Sequence, residues 1–274
     1  MAREMAHGAG ALCKARLAAQ EVEAQSLRPR GGGLQGEHKE SMRDNTKTME
    51  FYKKVYAQDS YFIENDKGRI QRIIDLKGPD FETIPSCYTS IAHDYFHRFY
   101  LSYTMGMSYE ELLPDVNKYI ENACNGWTGE NYEELVRICS MSILFNIRNE
   151  YIEKLLQKAE ARLNTLMYGE MFIKLLEPSW EVKATETYYA DDKTLVEVIQ
   201  LAKTDKLAAV QRLKKFVDRQ WYKTLHEGVI SQEDCYRGFW CIEAAALVKA
   251  LKLDDTELKE CKYYPYDMAH FCGS

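Results

Sequence analysis

Residues Tyr236 to Leu251 constrain the fold of this chain more than any other stretch. They read Tyr-Arg-Gly-Phe-Trp-Cys-Ile-Glu-Ala-Ala-Ala-Leu-Val-Lys-Ala-Leu, a run whose middle is apolar on every face when wound as a helix. A helix without a polar stripe has to be wrapped by others, so the run predicts a central helix in an all-helical core. Trp240 anchors it as a structural residue. Glu243 falls inside the apolar run, where an unpaired carboxylate is costly, so it is expected to meet a cation or neighbouring hydroxyls.

The same helical spacing of apolar residues continues through the chain from Met42 onward, and no convincing strand alternation interrupts it. Helices are expected at about Thr48 to Tyr56, Ser60 to Leu76 (stopped by Gly78-Pro79) and Ile84 to Tyr103. Ser108-Tyr-Glu-Glu111 has the capping-box pattern and opens a further helix to about Cys124, although Pro114 suggests a start as late as Leu113 or Pro114. Beyond the Asn125 to Gly129 turn, helices follow from Asn131 to Ile147, Tyr151 to Leu176, Asp192 to Ala202, Asp205 to His226 and Ser231 to Leu253. The expected fold is all-α, an antiparallel array of about eight or nine helices in two packed groups. A connector around Glu177 to Asp192 separates residues 42–180 from residues 181–274.

Residues 1–41 do not fit that pattern. They contain no Tyr, Phe, Trp or Ile and are dominated by Ala, Gly and Arg, so they cannot bury enough apolar surface to offset the entropy of ordering. They read as a disordered leader, not necessarily native, with Met42 as the natural start.

The remainder bounds function mainly by exclusion. A net charge of −6 argues against a direct nucleic-acid surface and for a basic partner. No apolar run is long enough to span a bilayer, and the start lacks a secretory signal, so neither a membrane nor an extracellular role is expected. The eight cysteines are scattered without a Cys-x-x-Cys pair, which suits free thiols in a reducing cytoplasm. No glycine-rich phosphate loop lies in the helical part, and no cofactor is indicated.

Three clusters carry chemistry worth weighing. His93-Asp94-Tyr95-Phe96-His97 places two imidazoles on one helical face with Asp94 in the position of a general base, the outline of a metal-dependent hydrolase. Metalloprotease helices use the longer Glu there, and the aromatic neighbours favour a core helix whose histidines bond to tyrosines. Arg212, Lys214, Lys215 and Arg219 put cations along one helix, read first as a solvated face. Acidic groups gather at Glu130, Glu133 and Glu134 and again at Asp254, Asp255, Glu257 and Glu260, where helix capping competes with an acidic docking surface.

From Tyr236 to Phe271 the chain resembles the C-terminal part of the PoNi-type immunity proteins, bacterial antidotes to nuclease toxins. The resemblance rests on Gly238-Phe-Trp-Cys-Ile-Glu-Ala-Ala-Ala246, Leu253-Asp-Asp-Thr-Glu-Leu258 and Tyr263-Tyr-Pro-Tyr-Asp267. More loosely, Tyr95 to Glu111, with Tyr-Thr-Met-Gly-Met-Ser-Tyr-Glu-Glu-Leu, is similar to the family's N-terminal domain. The resemblance implies a two-part helical protein without catalytic activity that neutralises a cognate nuclease toxin by stoichiometric binding; a helical scaffold with another partner is the bland alternative. Asp254, Asp255 and Glu257 are then the expected exposed partner contacts. Tyr264, Pro265, Tyr266 and Asp267 are expected to be structural, the tyrosine hydroxyls reaching Glu243. A homodimer stays open.

Overall fold

The computed structural model describes residues 42–161, 169–182, 193–221, 223 and 236–271. Among these residues there are ten α-helices and no strand, so the chain is all-α. In order they are α1 (Met49–Lys77), α2 (Ile84–Thr104), α3 (Tyr109–Gly126), α4 (Tyr132–Phe145), α5 (Glu150–Glu160), α6 (Gly169–Leu176), α7 (Lys193–Leu201), α8 (Lys206–Phe216), α9 (Ile242–Leu251) and α10 (Tyr266–Ala269). The expected leader, residues 1–41, and most of the expected connector lie outside the described residues.

α1 is one helix where two were expected. Thr48 caps it by accepting the Phe51 N–H at 3.2 Å, and Gly78, with φ 90°, ends it. Nothing between Tyr56 and Ser60 forbids a helix: there is no Gly or Pro, and Ser60 returns its hydroxyl to the Tyr56 carbonyl at 2.8 Å. Its buried residues, Tyr52, Val55, Asp59, Ile63, Asp66 and Ile70, recur three and four apart and form one stripe facing α2.

α2 lies between α1 and α3. Ser108 and Glu111 complete the capping box of α3, so that helix begins at Tyr109 and Pro114 sits inside it, not at its start. The capping box supplies the first turn with partners, which lets the helix tolerate the proline further in. Asn131 caps α4, accepting the Glu134 N–H at 3.0 Å.

The larger correction concerns Tyr236 to Cys241. This segment is not helical, and the helix starts only at Ile242. Its polar groups bond outward: the Cys241 N–H donates to the Tyr263 carbonyl at 2.9 Å, and the Arg237 carbonyl accepts the Thr104 hydroxyl at 2.8 Å. Gly238, at φ 112°, supplies the bend that makes this route possible. Trp240 packs edge-on against Tyr103 at 5.0 Å and donates its Nε1–H to Thr104 at 2.9 Å. Within α9, Ala244, Ala245, Ala246, Leu247 and Val248 are all buried, against α4, α6 and α7. The helix wrapped on all sides is therefore present over Ile242–Leu251, inside the Ser231 to Leu253 span expected from the sequence, of which residues 231–235 lie outside the described residues.

Long-range ion pairs stitch these layers. Arg237 donates to the fully buried Asp59 of α1 at 2.9 and 2.5 Å, and Arg98 of α2 forks onto Asp115 of α3. The described cysteines 87, 124, 139, 241 and 261 are buried free thiols, and no helix among the described residues is long and apolar enough to cross a membrane.

Candidate functional site

The first turn of α4 holds the densest group of ionisable side chains. Glu134 is buried and accepts the Tyr119 hydroxyl at 2.8 Å and the Arg137 guanidinium at 2.6 Å, while His93 Nε2 stands 3.7 Å away. Burial opposes its charge, but Arg137 first, then His93 and Tyr119, outweigh that penalty and hold the carboxyl at about 2. Arg137 also lies over the Phe96 ring, 4.8 Å from its centre. This is a closed circuit in which each charge meets an opposite one.

It also accounts for His93. The His93 and His97 rings are 6.3 Å apart, on one face as expected, but His93 faces the Glu134 carboxylate and not a tyrosine. Asp94 is buried. Among the described residues no group of three His, Cys, Asp or Glu side chains is placed to hold a metal ion.

Glu243 sits in the first turn of α9, not in its middle, so its backbone N–H is one of the helix-start donors available to its own carboxylate. Burial pushes its carboxyl up; that backbone bond and Arg137 pull the other way. The expected bond from Tyr264 to Glu243 is not what forms. Tyr264 donates instead to Asp255 at 2.6 Å, and Tyr100 donates to the Trp240 carbonyl at 2.6 Å.

The acidic turn after α9 separates residues that look equivalent in sequence. Asp254 is exposed and folds onto Thr256, accepting its N–H at 3.1 Å and its hydroxyl at 2.6 Å, which holds its carboxyl below the usual range. Glu257 and Glu260 are exposed. Asp255 is only 3% exposed, a correction to its expected place on the surface. It takes the Tyr264 hydroxyl on one side and faces His270 Nε2 at 3.0 and 3.1 Å on the other. Burial of Leu258 pins the turn between these groups.

The tail is built around the same contacts. Pro265, with φ −82° and ψ 73°, precedes α10 and turns the chain after Tyr264. The Tyr266 and His270 rings meet tilted, 4.5 Å apart, and Asp267 accepts Arg43 Nε–H at 2.9 Å. Arg43 in turn donates to the Tyr103 and Met107 carbonyls and covers the Tyr103 ring at 4.4 Å. Sequence reading missed Arg43, Asp59 and Arg237, because a charge pair separated by 178 residues leaves no local spacing signal.

Comparison with known proteins follows this geometry in both halves. Residues 41–157 match the model of the PoNe immunity protein (PoNi) N-terminal domain, and residues 164–268 match that of the PoNe immunity protein C-terminal domain. No curated protein matches the chain. Among solved structures, the crystal structure of protein PA2201 from Pseudomonas aeruginosa is similar in fold, with a TM-score of 0.56 and 12% identity over 85% of this chain and 91% of that one. The two family matches span most of the sequence on both sides of the molecule, and the chain belongs to the PoNe immunity proteins.

Proposed function

We propose that this protein protects the cell that makes it by binding a PoNe-type DNase toxin in a stoichiometric complex in the cytoplasm, without turnover of its own. The observation that carries the reading is the match of both helical halves to an immunity-protein family. Physical chemistry supports it. A DNA-cutting enzyme needs cations for the phosphate backbone, and an inhibitor of net charge −6 is drawn to such a surface. Asp254 and Glu257, exposed on a turn held rigid by Asp255 and Leu258, are the contacts we assign to the toxin. The polar circuit around Glu134 serves the fold, because its charges are already spent on one another.

The test is the association rate with the purified toxin at low and high salt. The double substitution Asp254→Ala and Glu257→Ala should slow association by roughly tenfold at low salt and by much less at high salt, since exposed charges act mainly through steering. An association rate unchanged at both salts would remove these two residues from the interface.

A further inference from the structure

α1 buries one stripe against α2, and its opposite side carries a pattern of its own. Tyr61, Asn65, Arg69, Arg72 and Leu76 are all exposed and recur three or four residues apart, so they line up on one face about 22 Å long. Its two ends are apolar: Tyr61 is 46% and Leu76 79% exposed. Either alone would be ordinary on a protein surface; together they close the ends of one strip.

Between those ends the charge is unbalanced. The exposed carboxylates of this part of α1 are engaged, Glu64 by Lys67 at 2.7 Å and Asp75 by Gln71 at 2.8 Å. Among the described residues no carboxylate forms an ion pair with Arg69 or Arg72. At the midpoint of the strip stands Gly68. A glycine inside a helix weakens it relative to alanine, and the packing of the described residues does not call for one here: a Cβ at Gly68 would meet only the tip of the Arg72 side chain, at 3.5 Å. On the outer face the missing side chain lets the backbone of a second helix come close.

We infer that the outer face of α1 from Tyr61 to Leu76 docks an acidic amphipathic helix of another protein, which crosses at Gly68, sets apolar side chains on Tyr61 and Leu76 and pairs its carboxylates with Arg69 and Arg72. Guanidinium–carboxylate pairs fix the register while the apolar ends supply buried area. A second copy of this chain suits the face poorly. Antiparallel pairing of Tyr61 of one copy with Leu76 of the other puts the twofold axis beside Gly68 and Arg69, and four guanidinium groups then crowd around it and repel. The inference rests on no part of the toxin reading, since the basic surface of a DNA-cutting enzyme would be repelled here.

The experiment titrates the full chain into a labelled synthetic helix of about 22 residues, with Leu near each end and Glu at the positions between that face Arg69 and Arg72, and reads fluorescence anisotropy. A control helix carries Lys in place of Glu. Saturable binding of the Glu helix and none of the Lys helix is expected. The double substitution Arg69→Glu and Arg72→Glu should weaken binding of the Glu helix by about tenfold or more and allow the Lys helix to bind, and Leu76→Ser should weaken both pairings. These side chains are exposed, so the melting midpoint should move little. Absence of saturable binding, equal binding of the two helices, or binding that charge reversal leaves unchanged would overturn the proposal. Sedimentation that finds a dimer of the full chain abolished by Leu76→Ser would give the face to a second copy and overturn it as well.

Discussion

Glu134 keeps a negative charge inside the protein, and that governs how the fold responds to acid. Its carboxyl titrates at about 2 in the fold against an ordinary 4.5, so between those values the unfolded chain binds more protons. The stability it contributes is complete above about pH 4.5, drains away as pH falls toward 2, and amounts to about 3 kcal/mol. Glu134→Gln should cost about 3 kcal/mol at pH 7, because Arg137 is left buried without its counter-charge, and should flatten the loss of stability between pH 4.5 and 3. Urea unfolding at the two pH values checks both. At Asp255 the loss of a buried acceptor shared by Tyr264 and His270 predicts that Asp255→Ala destabilises by about 2 kcal/mol, whereas Asp254→Ala and Glu257→Ala shift the melting midpoint little. The neighbours Asp254 and Asp255 are indistinguishable as letters; only the return of Tyr264 over the turn decides which one faces water, and a single sequence does not record that return.

At the scale of elements, local signals were legible and long-range ones were not. The Ser108 capping box and the helix start at Asn131 each depend on residues within a turn or two, and both mark real helix starts. Tyr236 to Cys241 misleads because its apolar residues satisfy a helical pattern, while the backbone finds better partners in Thr104 and Tyr263, far away in the chain. Gly238 was the available clue: a glycine at the start of an apolar run marks a bend as readily as a helix. A Cβ there would stand 2.6 Å from Thr104 Oγ1 and 2.7 Å from Trp240 Nε1, at a φ of 112°. Gly238→Ala should therefore destabilise the protein by about 2 kcal/mol or more, combining backbone strain with a clash, and thermal unfolding reads it directly. A change within about half a kcal/mol would mean that the segment accommodates a helix after all.

For the whole molecule, the helical spacing of the apolar residues already pointed to an all-helical fold, and the Gly238 to Ala246 run with the Tyr-Tyr-Pro-Tyr-Asp tail pointed to its family. What composition could not supply is the division of labour among charges. Several of the buried ones hold layers together, as Asp59 does with Arg237 and Asp115 with Arg98, while Asp254 and Glu257 stay exposed on the turn after α9. The most direct measurement is co-expression of this chain with a PoNe-type toxin, followed by purification of one through a tag on the other. The account predicts that the cells survive and that the two proteins elute as a stable one-to-one complex in which DNA cleavage is lost. Cell death with no co-purified toxin, or survival through destruction of the toxin at catalytic amounts of this protein, would contradict it.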